Sequence, residues 1–280
     1  MTQRLFRFGL VGAGARDGRE WAALARRGED LGFATLLTAD TVATPAPAAS
    51  LAAAAAVTTS LRVGTFVVNT ATRPANAVAW EAASLAFVTG DRFELGIGAG
   101  RPGAEGDAAV LGVPYGSGAE RLAQVERVLD AVEHPAEGLY GGTGGTPHVL
   151  VAASRPRMLA LAARRAGTVA FGVPPLTGED GLAELVGVVR DAAGERFDEL
   201  ELCTSVHVVG DEIPGWLRGR MGVDAADLAS SGSIAMLTGT PREMAGTLSR
   251  RRDELGVSYV TVPAPFAEAF APVVELLAGR

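Results

Sequence analysis

Apolar positions in the first hundred residues alternate between two periods. Short runs rich in β-branched and large apolar residues, suited to strands buried on both faces, are each followed by a turn. After the turn come apolar residues three and four apart, the stripe of an amphipathic helix. Leu5 to Val11 predicts a strand, and Trp21, Leu24, Ala25, Gly28 and Leu31 form the stripe of the next helix, ended by Gly32. Phe33 to Leu37 predicts a second strand, followed by an alanine-rich helix from about Ser50 to Thr59. Leu61 to Val68 predicts a third, and Thr72 with Pro74 opens a helix carrying Ala77, Trp80, Ser84, Leu85 and Val88. Arg92 to Ile97 predicts a fourth.

These strands recur about every thirty residues, the size of one βα unit in a parallel sheet. The second half adds a helix through Leu122, Val125, Leu129 and Val132, a strand at His148 to Val151, and a helix around Met158 to Arg165. Further strands are predicted at Thr168 to Phe171, Glu201 to Val209 and Ser258 to Val262. Eight strands in a chain of 280 residues fit an α/β fold with one (β/α)8 TIM barrel over residues 1–280, whereas a doubly wound sheet typically has fewer.

Two stretches break the period and read as rim insertions. Gly138 to Pro147 is dense in glycine, and Gly210 to Thr238 is polar and small-residue rich, with Trp216 and a short helix at Asp224 to Ala229. Thr240-Pro241-Arg242-Glu243 then reads as a capping box that opens the penultimate helix.

Composition narrows the chemistry. All 25 basic residues are arginine, so Schiff-base catalysis, pyridoxal phosphate chemistry and a Walker-type phosphate loop are excluded. A formal charge of −7 argues against nucleic acid or an anionic membrane as partner. Cys203 is the only cysteine, which excludes an intrachain disulfide framework and suits a reducing cytoplasm. The most apolar stretch, Leu51 to Val57, is far shorter than the ~20 residues of a membrane span. No His/Cys/Asp/Glu spacing of a metal site appears, and there is no Gly-x-Ser-x-Gly elbow. Gly12-Ala13-Gly14 is only a fragment of a dinucleotide fingerprint and reads as a tight βα turn.

In a (β/α)8 barrel the working residues lie at the C-terminal ends of the strands. Asp40, ending the second strand, either orients a ring nitrogen or substrate donor, or caps a loop. Asn69 and Thr70 end the third and offer hydrogen bonds to a ring edge. Gly96, Gly98 and Gly100 clear one face of the fourth, for a flat ring or for a tightly packed neighbour, and Arg101 follows at the rim. The fifth strand leads through Ala152, Ala153 and Ser154 into a helix bearing Arg155 and Arg157. Its free amides suit a phosphate, with Ser154 as the N-cap. Of the three histidines, His134 and His148 read as structural or exposed. His207, near a strand's C-terminal end, is a candidate proton donor. Cys203 reads as a core residue, and Arg250-Arg251-Arg252 as a solvated face.

Thr89-Gly90-Asp91-Arg92-Phe93-Glu94-Leu95-Gly96-Ile97-Gly98-Ala99-Gly100, preceded by Trp80-Glu81-Ala82-Ala83-Ser84-Leu85, resembles the luciferase-like flavin and deazaflavin oxidoreductases, especially their coenzyme F420-dependent branch. Leu61 to Asn69 is similar to the family's third strand, and Gly239-Thr240-Pro241 with Glu254 to Tyr259 to its approach to the last one. The chain departs from the family over Arg101 to Pro147, where relatives carry a longer segment. The resemblance implies a (β/α)8 barrel, hydride transfer between F420 and a small organic substrate, and a homodimer. It places cofactor contacts at Asp40, Asn69, Gly100, Ala152, Ala153 and Ser154, and assigns no catalytic residue. Relatives often follow the acid at position 40 with histidine, where this chain has Thr41, and bind the cofactor phosphate with a glycine-rich turn, where it has Ala-Ala-Ser. These departures keep two alternatives open, an FMN-dependent monooxygenase and a barrel that has lost catalysis and serves as a binding protein.

Overall fold

The computed structural model describes residues 4–12, 14–140 and 146–280; Ala13 of the Gly-Ala-Gly turn and residues 141–145 of the glycine-rich rim run lie outside the described residues. Eight parallel strands form the barrel: β1 (Arg7–Val11), β2 (Thr35–Thr38), β3 (Arg62–Thr65), β4 (Phe93–Gly98), β5 (His148–Ala153), β6 (Thr168–Phe171), β7 (Glu201–Ser205) and β8 (Val257–Pro263). They pair in the order β3-β2-β1-β8-β7-β6-β5-β4, and β3 closes the ring on β4 through Val63 opposite Phe93 and Gly64 opposite Glu94. The predicted (β/α)8 architecture is therefore present.

Helices α1 (Gly18–Asp30), α2 (Pro47–Ala56) and α3 (Ala75–Thr89) follow the first three strands. The region after β4 holds α4 (Ala104–Val110) and α5 (Gly118–Glu133), and α6 (Pro156–Arg165) and α7 (Glu179–Ala193) follow β5 and β6. Beyond β7 come the short α8 (Gly215–Met221) and α9 (Ala225–Ser230), then α10 (Pro241–Leu255) and, after β8, α11 (Ala267–Leu277). Helices α1, α5, α9 and α10 start as local rules require: Asp17, Ser117, Asp224 and Thr240 accept first-turn amides, the last three in full capping boxes. Helix α2 begins three residues earlier than predicted because Pro47 sets its first turn. It ends before Thr59, where the Thr59, Ser60 and Leu61 amides turn onto the Glu29 carboxylate. Among the described residues no helix is long and apolar enough to cross a membrane.

Two predicted strands are broken at the end that faces the site. The third stops at Thr65, and Val68–Asn69 rejoins the sheet as a two-residue strand on Ile97 and Gly98. The cause lies in Gly96. A Cβ there would sit 2.0 Å from the Thr65 carbonyl oxygen, and Thr65 Oγ1 both donates to the Gly96 carbonyl at 2.7 Å and accepts from its amide at 2.8 Å. The glycines of β4 thus admit a packed neighbour. The seventh strand stops at Ser205; the His207 and Val208 amides both donate to the Ala235 carbonyl, and Val208–Val209 pairs with Met236–Leu237. The fifth strand runs two residues past its predicted end, so Ala152 and Ala153 are strand residues rather than a turn. Helix α7, for which no period stood out, buries Leu182, Val186 and Val189 at spacings of four and three.

Most of the core lies between the strands and the helices. Inside the barrel a smaller apolar cluster of Leu37, Leu150, Ala170, Cys203 and Tyr259 fills the middle. Toward the strands' N-terminal ends, below that plug, a polar network touches every strand. Arg7 donates to Glu201 at 2.9 and 2.7 Å, to Thr35 at 3.2 Å and to Glu94, and stacks 3.9 Å from the Tyr259 ring. Arg62 donates to the same Glu94 oxygen, and His148 and Thr168 extend the chain to Glu201 through contacts of 2.7 Å. Burial would raise the Glu94 carboxyl's pKa, but Arg7 and Arg62 together hold it below its ordinary value.

Removing one partner from such a site strands a charge in the interior. Arg7→Met is expected to lower stability by about 3–5 kcal/mol, read as an earlier urea midpoint. Arg7→Lys should recover only part of the loss, because an ammonium cannot match the guanidinium's planar fork. Combining Arg7→Met with Glu94→Gln should cost less than the sum of the two single changes.

Candidate active site

Two cavities open at the C-terminal ends of the strands, and Ala152 on β5 lines both. The larger, about 500 Å³, lies between the end of β4 and the starts of α5 and α6. It brings together Gly100, Ala152, Ala153 and Ser154, four of the residues predicted to hold a cofactor, and the three predicted arginines Arg101, Arg155 and Arg157. Arg121 is a fourth arginine on its wall, held by the Ala99 and Gly116 carbonyls and placed 4.4 Å from the Tyr115 ring. Glu105 is the only acid lining it among the described residues.

Helix α6 faces this cavity with an unblocked N-terminus. Its N-cap is Arg155, not Ser154, because β5 runs on to Ala153 and Pro156 takes the first helical position. No side chain caps the first turn, so amide donors there stay available to an anion. Glycine is not needed at this turn: among the described residues Asp91 alone of the non-glycines has positive φ, so Ala152, Ala153 and Ser154 pay no left-handed penalty. Arg101 pairs with Asp107 at 3.0 Å and reaches Thr41 Oγ1 at 3.3 Å. Arg155 and Arg157 are exposed and have no acidic partner among the described residues.

Asp40 and Asn69, also predicted to hold a cofactor, line neither this cavity nor the second one; they stand together behind Gly100. Arg73 donates to both Asp40 oxygens, at 2.9 and 3.0 Å, and the Asn69 amide donates to Oδ2 at 3.1 Å. Both oxygens are thus engaged within the chain, and the carboxylate holds the backbone of Asn69 in place. Asn69 is buried; its Oδ1 accepts from the Ala71 amide at 3.3 Å, while its Nδ2 is a buried donor with no partner. Gly100 adjoins it. With φ at +88°, an added Cβ there would lie 3.0 Å from Asn69 Oδ1 and 2.2 Å from Tyr115 Oη. Thr70 turns away, donating to the Gly98 carbonyl at 3.1 Å.

The second cavity is a chamber of about 240 Å³ over the apolar plug of the barrel. Phe66, Val67, Phe171 and Val173 give it apolar walls, and Ser205 and His207 add polar groups. Ser205 shares a hydrogen bond of 2.8 Å with Thr261. A further cavity, about 720 Å³, is elsewhere, between α7, α9 and α10, and shares no residue with these two. There Glu179 pairs with both Arg250 and Arg251. Arg251, read from sequence as solvated, is buried there, donating to Glu179 at 2.8 Å and to the Ile234 carbonyl at 3.3 Å. Arg252 is likewise covered, lying 4.7 Å from the Phe6 ring, which leaves Arg250 as the exposed member of the run.

The remaining candidates fall away from the site. His148 sits at the opposite barrel end, bonded to Thr168. His134 is the exposed cap residue after α5. Cys203 is fully buried in β7, and burial pushes its thiol well above the usual range. Among the described residues no three His, Cys, Asp or Glu side chains gather as a metal site. Arg73, Tyr115 and Arg121 carry the site without having been singled out in the sequence. Arg73 lies thirty-three positions from Asp40, beyond any local period.

Comparison with known proteins places this geometry. The fold matches a coenzyme F420-dependent tetrahydromethanopterin reductase from Methanopyrus kandleri at TM-score 0.73 and 17% identity, over 98% of this chain and 99% of that one. An F420-dependent secondary alcohol dehydrogenase in complex with an F420–acetone adduct matches at TM-score 0.79 and 15% identity, over 98% of both chains. The oxygenating constituent of 3,6-diketocamphane monooxygenase from Pseudomonas putida, in complex with FMN, matches at 0.72 and 16%, also over 98% of both. At these identities the likeness is one of fold. No curated protein sequence matches the chain. Residues 5–214, three quarters of the chain, match the family described as luciferase-like monooxygenase. A closed parallel barrel with its cavities at the strand ends, together with that match, makes this chain a member of the luciferase-like monooxygenase family of oxidoreductases.

Proposed function

We propose that this chain transfers a hydride between coenzyme F420 and a small organic substrate at the C-terminal mouth of the barrel. The observation that carries this reading is the guanidinium content of the larger cavity: Arg101, Arg121, Arg155 and Arg157 against Glu105 alone. The side chain of F420 bears a phosphodiester and several carboxylates, whereas FMN bears one phosphate. Arg155 and Arg157, without acidic partners, offer more positive charge than one phosphate requires. Two of the structural neighbours, one reductase and one dehydrogenase, are F420-dependent by name.

The residues present fit such a group. The unpartnered Asn69 Nδ2 is a buried donor that a carbonyl or ring nitrogen would satisfy, and the missing side chain at Gly100 lets the Tyr115 hydroxyl pack close beside Asn69. Asp40, pinned by Arg73, holds Asn69 rather than touching the ring. Ser154 and the first turn of α6 supply neutral donors to the phosphate beside Arg155 and Arg157, and Ala152 and Ala153 pass the chain between tail and ring without bulk. When bound, the deazaflavin supplies or accepts the hydride. The protein positions it and excludes water, a task to which the apolar chamber walls are suited.

Titration of the purified protein with F420 and with FMN, followed by fluorescence, tests this. F420 is expected to bind more tightly, with an affinity that falls as ionic strength rises. Tight binding of FMN alone would replace the reading by an FMN-dependent monooxygenase, and binding of neither would favour a barrel without catalysis. Arg155→Ala and Arg157→Ala are each expected to weaken F420 about tenfold, the low end for a charge-assisted hydrogen bond because both arginines are exposed. In Gly100→Ala the added methyl must displace Tyr115. About 1–3 kcal/mol of stability should be lost together with affinity, and Tyr115→Phe in the same chain should recover part of it, leaving the strain of the positive φ.

A further inference from the structure

We infer that Asn69 forms a concealed subsite behind the larger cavity, that Tyr115 is the gate over it, and that the subsite takes a flat ligand edge carrying a carbonyl oxygen or a ring nitrogen. The occupant rests on the cofactor reading above; the gate does not, and is tested without a ligand. Asn69 is 7% exposed and lines neither cavity of the barrel mouth. The Ala71 amide faces its Oδ1 at 3.3 Å, which fixes the orientation of the carboxamide and leaves the NH2 group as the orphan. A buried donor without an acceptor is costly, so a ligand that brings an acceptor to Nδ2 binds with that cost relieved.

Tyr115 stands between this donor and the cavity. It lines the cavity, and its hydroxyl meets Asn69 over Gly100, where an added Cβ would crowd both residues. It covers Asn69 without bonding it: the hydroxyl donates to the Arg101 carbonyl at 3.3 Å, and Nδ2 stays unpaired. A ligand lying in the cavity therefore reaches Nδ2 only after the tyrosine moves.

The chain around Tyr115 is built to let it move. Residues 112–116 link α4 to α5 with no helix or strand of their own. Gly112 and Gly116, at the two ends of this strap, hold φ of +69° and +73°, a region in which other residues are strained. Both ends are anchored. The Leu111 and Gly112 amides bond back into α4 at 3.0 and 3.2 Å, Arg121 holds the Gly116 carbonyl at 2.9 Å, and Ser117 caps α5 in a full capping box. Between the anchors the tyrosine side chain is held by its one long hydrogen bond and by the Arg121 guanidinium 4.4 Å from its ring. Rotation at the two glycines lifts the ring off Asn69 while both helices keep their packing.

The chain carries few reporters of the relevant kinds, which makes the test direct. Its side-chain carboxamides are those of Gln3, Asn69, Asn76 and Gln124, and it has three tyrosines. In the protein without cofactor, saturation-transfer NMR should show the Asn69 NH2 pair, identified by its loss in Asn69→Ser, exchanging slowly with water. Tyr115→Ala should speed that exchange at least about tenfold, and Tyr115→Phe by less. When F420 is added to protein labelled with 3-fluorotyrosine, the Tyr115 fluorine signal, identified by its loss in Tyr115→Phe, should move, while that of the buried Tyr259 stays still. The observed binding rate should level off with rising F420 in the wild type and stay linear in Tyr115→Ala, whose association should be about tenfold faster. Asn69 exchange unchanged in Tyr115→Ala would overturn the inference. So would binding of F420 or FMN with the Tyr115 signal unmoved and a linear rate. Accelerated exchange in Tyr115→Ala, with neither cofactor binding, would support Tyr115 as the cover of the subsite and remove the cofactor reading instead.

Discussion

The barrel is organised around one guanidinium. Arg7 rises from β1 into the barrel's N-terminal end and reaches Thr35, Glu94 and Glu201 while stacking on Tyr259, so four other strands meet on a single side chain. Arg62 binds Glu94 from β3, and the Thr168–His148 pair carries the network to β6 and β5. Only arginine can do this, because it offers donors in two directions in one plane and a flat face for the phenol ring. Packing above depends on the same residue. With the charges gathered in one layer, the middle of the barrel is left to Leu37, Leu150, Ala170 and Cys203, while at the strand ends Arg73 meets Asp40 and Arg101 meets Asp107.

The site grows from two breaks in the barrel's regularity. Thr65 folds over Gly96 and exchanges two hydrogen bonds with its backbone, which takes Phe66 and Val67 out of the ladder and turns them over the plug. On the opposite side β7 ends at Ser205, and Ala235 draws His207 across. Between these breaks lies the apolar chamber, whose floor includes Ala170 of the plug and Ala152 packed against it. A densely packed floor is what any site that must hold reacting atoms in register requires, since a displacement near 1 Å there costs rate steeply.

How far the sequence reveals this depends on the range of the interaction. The barrel was legible because each βα unit repeats the same local physics, and the caps at Ser117, Asp224 and Thr240 are set by side chains three residues apart. The gathering of Gly100, Ser154, Arg155 and Arg157 was legible because strand ends in a parallel barrel share one face. Interactions between distant units were not. Nothing near Asp40 marks Arg73 as its partner, and nothing in Arg250-Arg251-Arg252 shows that Glu179 would draw the middle arginine inside. The extra two residues of β5 were missed because alanine favours strands weakly, and only pairing with Ala170 and Phe171 makes Ala152 and Ala153 part of the sheet.

The absence of lysine acquires a structural meaning at both ends of the barrel. At the closed end, arginine's fork joins carboxylates that must be buried to seal the fold. At the open end the same residue type collects on one cavity of a chain whose formal charge is −7, making a local positive site on a negative molecule. Such a contrast favours anionic ligands at that cavity and repels them from much of the remaining surface. The chamber beside it is walled mainly by Phe66, Val67, Phe171 and Val173, so the two compartments joined at Ala152 differ in polarity, the charged one outward and the apolar one toward the barrel axis. Alanine at that junction keeps the wall between the two compartments thin, since a larger side chain there would project into the space of one or the other.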